Sequence, residues 1–140
     1  MPGTVRFMED KQVIKVVAGV LERNGKILVC RRRKQDGSPG KWEFPGGKQE
    51  PGETEEECLV RELREELCLA VRPGEEIGRV RHDYKEFSVE VVFRHAAAEN
   101  GNMELMVHAE AVWAEKKSLP DYDFLEADIE FVKRLAEGAL

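Results

Sequence analysis

The chain reads as an α+β fold, one domain in which a mixed sheet carries helices against it. Three observations point there. Short runs rich in β-branched residues recur on both sides of the middle of the sequence. Between them lies an amphipathic helical segment with a well-marked start, and a second helix-period segment follows near the end. With 140 residues, such a chain can bury a core without metal or disulfide staples.

The elements follow in order. Residues 1–10 carry no clear pattern and are expected to form a loose arm. IKVVAGVL, within Val13 to Leu21, reads as a strand, and GKILVCRRR from Gly25 as a second, with Asn24-Gly25 as the hairpin turn between them. KQDGSPGK is a loop by composition. WEFPGG begins a short strand that breaks at Pro45-Gly46-Gly47. A helix is expected from about Glu55 to Leu67, because Thr54 followed by Glu57 forms a capping box. Further strands are expected around GRVRHDY, FSVEVVFRH and AEAVWAE. A last helix is expected from about Ala127 to Ala136, with Ile129, Val132 and Leu135 on its inner side.

Composition narrows the function classes. No apolar run is long enough to span a bilayer, and the N-terminus lacks the apolar stretch of a signal peptide, so a cytoplasmic protein with no membrane partner is expected. Cys30, Cys58 and Cys68 form no CxxC pair, which argues against a disulfide framework or a structural zinc site. His82, His95 and His108 are scattered and read as packing or surface residues. A net charge of −6 argues against stable nucleic-acid binding. The basic cluster Arg31 to Lys34 is either a solvated strand end or a phosphate grip.

The segment RELREEL, Arg61 to Leu67, carries the chemistry. At about 100° per residue, Glu65 and Glu66 fall within about 60° on either side of Glu62, so three carboxylates share one face. Leu59, Val60, Leu63 and Leu67 cluster on another. Like charges at this spacing repel; Arg61 and Arg64 relieve part of that, and a hard divalent cation such as Mg²⁺ or Mn²⁺ would relieve more. Alone, the segment reads first as a salt-bridged solvent face.

The segment upstream decides between the two. The run GGKQEPGETEEECLVRELREELCL resembles the Nudix box, GX5EX7REUXEEXGU with U aliphatic: Gly47, Glu53, Arg61, Glu62, Leu63, Glu65, Glu66 and Leu69 fall in register. Cys68 stands where the family has a glycine, at a turn where a left-handed conformation costs glycine least. RRR…WEFPGGK, the Trp113 strand and LEADIEFVKRL extend the resemblance to the MutT-like and CTP pyrophosphohydrolase-like branch of Nudix hydrolases.

That resemblance implies an α/β/α sandwich with the box as loop-helix-loop, and Mg²⁺- or Mn²⁺-dependent hydrolysis of a nucleoside triphosphate to monophosphate and pyrophosphate. It implies metal ligation by Glu62, Glu65 and Glu66 with a backbone carbonyl of Gly46 or Gly47. Glu53 would orient or deprotonate water, Arg61 would fix the acidic face, and Arg32 would contact phosphate. Phe44 aligns with an aromatic beside the base, though it reads equally as core. Asp128 aligns with a base-reading asparagine, though it reads equally as a first-turn carboxylate favoured by the helix dipole. An outer glutamate of the family falls on Val107, leaving Glu104, Glu110, Glu53 or the box helix to supply the base. Guanine or cytosine triphosphates, oxidised ones such as 8-oxo-dGTP included, are the expected substrates, handled by a monomer or homodimer. Other nucleoside diphosphate derivatives, or a sensing domain without turnover, are the alternatives.

Overall fold

Asn24 and Gly25 both take the left-handed backbone, φ 52° and 77°, that a two-residue hairpin turn requires. They join β1 (Gln12–Arg23) to β2 (Lys26–Arg31). The computed structural model describes residues 12–99 and 101–138; the arm expected at residues 1–10 lies outside them. β3 (Trp42–Glu43) and β4 (Gly46–Lys48) follow, then helix α1 (Glu55–Leu67), β5 (Val71–Asp83), β6 (Phe87–Ala98), β7 (Glu110–Glu115) and helix α2 (Ile129–Ala136).

The seven strands form a mixed sheet with the central order β3-β2-β1-β6-β5, β4 pairing with β1 and β7 with β2. β1 runs parallel to β6 from Gln12↔Phe87 to Leu21↔Ala96, while β2, β4 and β7 enter antiparallel ladders. β1 is covered on both faces, which is why IKVVAGVL is nearly continuously apolar. Its alternation sorts the cores: Val17 and Leu21 pack with α1, Ala18 and Val20 with α2. The result is the expected α/β/α sandwich.

α1 begins as expected. Thr54 accepts from the Glu57 amide at 3.0 Å, and the Glu57 carboxylate accepts from the Thr54 amide at 2.9 Å, closing the capping box. Cys58, Leu59, Leu63 and Leu67 are fully buried; each leucine contributes roughly 1.5–3 kcal/mol of transfer free energy. Val60, expected on the same face, is half-buried. The helix ends at Cys68, which is left-handed at φ 55°.

Two expectations need correction. β5 begins at Val71 rather than near Gly78; Pro73 and Gly74 read as breakers, but register shifts between Pro73 and Gly78 absorb them. At the other end, Glu126–Asp128 forms a 3₁₀ turn and α2 starts at Ile129. Ile129 is 43% exposed, and Phe131, Val132 and Leu135 face inward. The inner stripe is centred on Leu135, and Ile129 lies about 120° around the helix from it. Phe131 stacks on Phe93, with ring centroids 3.8 Å apart. Gly78 makes that possible, since a Cβ there would stand 2.7 Å from the Phe131 ring. Among the described residues, no helix is long and apolar enough to cross a membrane.

Candidate active site

A cleft of about 470 Å³ opens beside α1, within the size range of small-ligand sites. Its polar lining includes Arg32, Glu43, Glu66 and His108, with the Gly46-Gly47 backbone. Its apolar lining includes Val16, Val89, Val91, Leu125 and Ala127, and Asp128 lies among the lining residues.

The three helix acids have three different environments. Glu66 lines the cleft, and its Oε1 is buried with no hydrogen-bond partner. Burial first, then the neighbouring Glu62 and Glu43 carboxylates, push its carboxyl up to about 9, against a hydrogen bond from the Gly46 backbone. Glu62 is tucked against Gly47 so closely that a Cβ on that glycine would overlap the carboxyl group. Glu65 is exposed and accepts from Arg61 Nη1 at 2.9 Å.

Arg61 ties the face together. Its Nη1 also donates to Glu62 Oε1 at 2.9 Å, while Nε and Nη2 donate to the two oxygens of Glu53 at 2.6 and 3.0 Å. Those bonds, then the Glu50 amide, hold the Glu53 carboxyl down to about 2. A carboxylate held so low is a poor proton acceptor at neutral pH. Glu53 is thus held by Arg61, an arrangement that argues against its deprotonating water.

Among the described residues, no three His, Cys, Asp or Glu side chains are gathered into a metal cage; Glu62 and Glu65 instead lean on the Arg61 guanidinium. The donor set nevertheless fits a hard divalent cation. Carboxylate oxygens suit Mg²⁺ or Mn²⁺, and the buried unpartnered Glu66 Oε1 beside Glu62 is the group such a charge would satisfy.

Arg32 reaches the cleft, its Nε donating to the Gly37 carbonyl at 2.6 Å and its Nη1 to Glu43 Oε1 at 3.1 Å. Asp128 is buried and makes no cap hydrogen bond to α2. Burial, with a smaller contribution from Glu43, pushes its carboxyl up to about 7. It therefore stands at the N-cap position of α2 without bonding the helix amides, and it lines the cleft. Phe44 stays in the core, in edge contacts with Phe93 and Phe131, and does not line the cleft. Glu104 and Glu110 do not line it either; Glu110 pairs with Arg31 at the surface.

Sequence reasoning missed two residues. Glu43 accepts from Arg32 on one oxygen and lies 2.8 Å from His108 Nε2 on the other. His108 was read as packing, yet it is 4% exposed and lines the cleft, with Nδ1 buried and unpartnered. A signal for Glu43 existed in its polarity, in a strand whose neighbours are Trp42 and Phe44; His108, next to Val107, carried none without the fold.

The fold and the acid-lined cleft are those of a Nudix-type hydrolase, a class that generally uses a divalent metal. A profile of the NUDIX domain matches residues 11–135, and the chain belongs to that family. It is 36% identical over 118 residues to the CTP pyrophosphohydrolase of Escherichia coli (strain K12), covering 84% of this chain and 87% of that one. It is 30% identical over 127 residues to the 8-oxo-dGTP diphosphatase of Haemophilus influenzae, covering 90% and 93%. A crystal structure of a MutT protein from Methanosarcina mazei Go1 superimposes with a TM-score of 0.82 at 25% identity, covering 93% and 97% of the two chains. Within the family the chain is a MutT-like Nudix hydrolase.

Proposed function

We propose that this protein hydrolyses a guanine or cytosine nucleoside triphosphate, oxidised forms included, to the monophosphate and pyrophosphate with Mg²⁺ or Mn²⁺. The observation that carries the reading is the buried, unpartnered Glu66 Oε1 in a cleft that also holds Arg32 and Asp128. Relatives named CTP pyrophosphohydrolase and 8-oxo-dGTP diphosphatase support the two bases.

In this reading Glu62, Glu65 and Glu66, with a carbonyl of Gly46 or Gly47, hold the cation. A bound cation would neutralise phosphoryl charge and acidify the attacking water. Arg61 and Glu53 keep the acids in register, and Gly47 leaves the Glu62 carboxyl its room. Arg32 binds phosphoryl oxygens, and Asp128 reads the base edge. An ionised Asp128 only accepts, which suits the cytosine N4 amino group or the guanine N1 and N2 protons; a protonated one can also donate to O6. With a carboxyl pushed up to about 7, both forms are within reach at neutral pH.

The test is release of pyrophosphate against phosphate across the nucleotide panel with Mg²⁺. Pyrophosphate release fastest with guanine or cytosine substrates is expected. Phosphate release, or no turnover of any triphosphate, rejects the reading.

A further inference from the structure

The 101–109 segment is strapped across the end of α1 by its backbone. The Glu104 and Met106 amides donate to the Leu67 and Glu66 carbonyls at 2.9 Å each, supplying partners to carbonyls that a helix end leaves orphaned. The Ala109 amide then donates to the Arg31 carbonyl at 2.9 Å. His108 sits between these anchors and is delivered into the cleft wall beside Glu43.

We propose that His108 is a positioning residue for the phosphate-binding arginine: it fixes one oxygen of Glu43, and Glu43 with its other oxygen fixes Arg32. The inference rests on the phosphate-gripping role given to Arg32 above. Both Glu43 oxygens are taken, Oε1 by Arg32 Nη1 at 3.1 Å and Oε2 by His108 Nε2 at 2.8 Å, so the plane of the carboxylate is set. A carboxylate only accepts, which makes Nε2 the donor in this contact.

Packing alone gives no reason for an imidazole at this place. The unpartnered Nδ1 carries a desolvation cost that an apolar side chain would avoid. What the imidazole adds is a donor aimed at Glu43. Arg32 is in turn held at two points, Nε on the Gly37 carbonyl and Nη1 on Glu43, and its Nη2 has no partner among the described residues. A guanidinium fixed in this way meets phosphoryl oxygens without first giving up the rotamer freedom of a loose arginine. The chain Arg32–Glu43–His108 therefore links the 101–109 segment to the phosphate grip.

The experiment is a double-mutant cycle in kcat/KM with the triphosphate turned over best, alongside Mg²⁺-induced shifts in melting temperature. Arg32→Ala alone should be costly. His108→Ala should raise KM and lower kcat/KM about tenfold, the lower end of the scale for supporting partners that do not touch the ligand, and leave the Mg²⁺ shift unchanged. His108→Gln, whose amide nitrogen reaches the Nε2 position, should recover most of the loss. Added to Arg32→Ala, His108→Ala should cost nothing more. Should His108→Ala misfold, isosteric Glu43→Gln serves in its place, with the same loss and the same silence on top of Arg32→Ala. A costly Arg32→Ala whose effect simply multiplies with that of His108→Ala or Glu43→Gln overturns this inference alone. A silent Arg32→Ala overturns the phosphate-grip reading and this inference with it. Loss of the Mg²⁺ shift in His108→Ala would instead assign the histidine to the metal face through Glu66, 4.0 Å from Nε2.

Discussion

Asp128 shows how one buried carboxyl can set both specificity and pH response. Burial, then the Glu43 charge, raises it from 3.8 to about 7. The folded protein therefore holds this proton more tightly than the unfolded chain does. The stability it contributes is fully present below pH 3.8 and is lost as pH rises through 7. Asp128→Asn removes that loss without changing volume. The melting temperature of the variant relative to the parent should climb between about pH 4 and 7 and level off above, worth at most about 4 kcal/mol at about 1.4 kcal/mol per pKa unit. A difference that stays flat with pH rules out this environment for Asp128. Catalysis should register the same titration. Preference between guanine and cytosine substrates should drift across pH 7 in the parent and hold constant in Asp128→Asn, whereas a base ranking that Asp128→Asn leaves untouched removes Asp128 from base reading.

Among the elements, α1 was the most legible because its signals are local. Thr54 and Glu57 mark its start, its leucines mark the buried face, and the Cys68 departure falls at a left-handed C-cap as expected. A non-glycine residue there gives up roughly 1 kcal/mol against glycine. Cys68→Gly should accordingly raise the melting temperature by about 3 °C and leave kcat/KM within about twofold, since Cys68 is exposed and does not line the cleft. No gain in a thermal melt would mean that the surroundings already relieve the strain. The less legible elements depend on tertiary partners. β5 continues through Pro73 and Gly74 because β6 tolerates the register shifts. The α2 stripe turns toward Phe131 because Gly78, far away in sequence, leaves space for the ring. The same holds for the site: spacing put the three box acids on one helix face and the family resemblance implied the parts played by Arg61 and Gly47, while Glu43 and His108, 65 positions apart, are joined only by the fold. Phe44 had two readings from sequence, and the packed aromatic cluster favoured the core.

Across the whole molecule, the sandwich holds a cleft that works against its own stability. The leucine face of α1 fixes the helix on the sheet, and that fixed position forces Glu66 into a buried setting beside Glu62 and Glu43. Without a cation this arrangement costs stability, because the Glu66 carboxyl cannot ionise beside like charges in a poorly solvated place and must take up a proton on folding. With one, the same crowding becomes affinity. Glu66→Gln should therefore separate stability from function. In chelator at pH 8 the variant should melt higher than the parent, since an amide of equal size needs no proton, whereas a carboxyl pushed up to about 9 must take one up on folding at that pH. On adding Mg²⁺, the parent should gain up to about 2.7 kcal/mol at a hundredfold excess over its Kd, while the variant gains little. Turnover should fall at least about a hundredfold because a ligand is removed and the fold is kept. The decisive measurement is the pair of melting curves with and without Mg²⁺. A variant less stable than the parent in chelator, yet showing the parent's full Mg²⁺ shift, would make Glu66 a structural acid and leave the metal to Glu62 and Glu65. The opposite signs expected in the two conditions follow from a single fact of the fold: α1 is anchored by one face and charged on the other, and the charged face has nowhere to go.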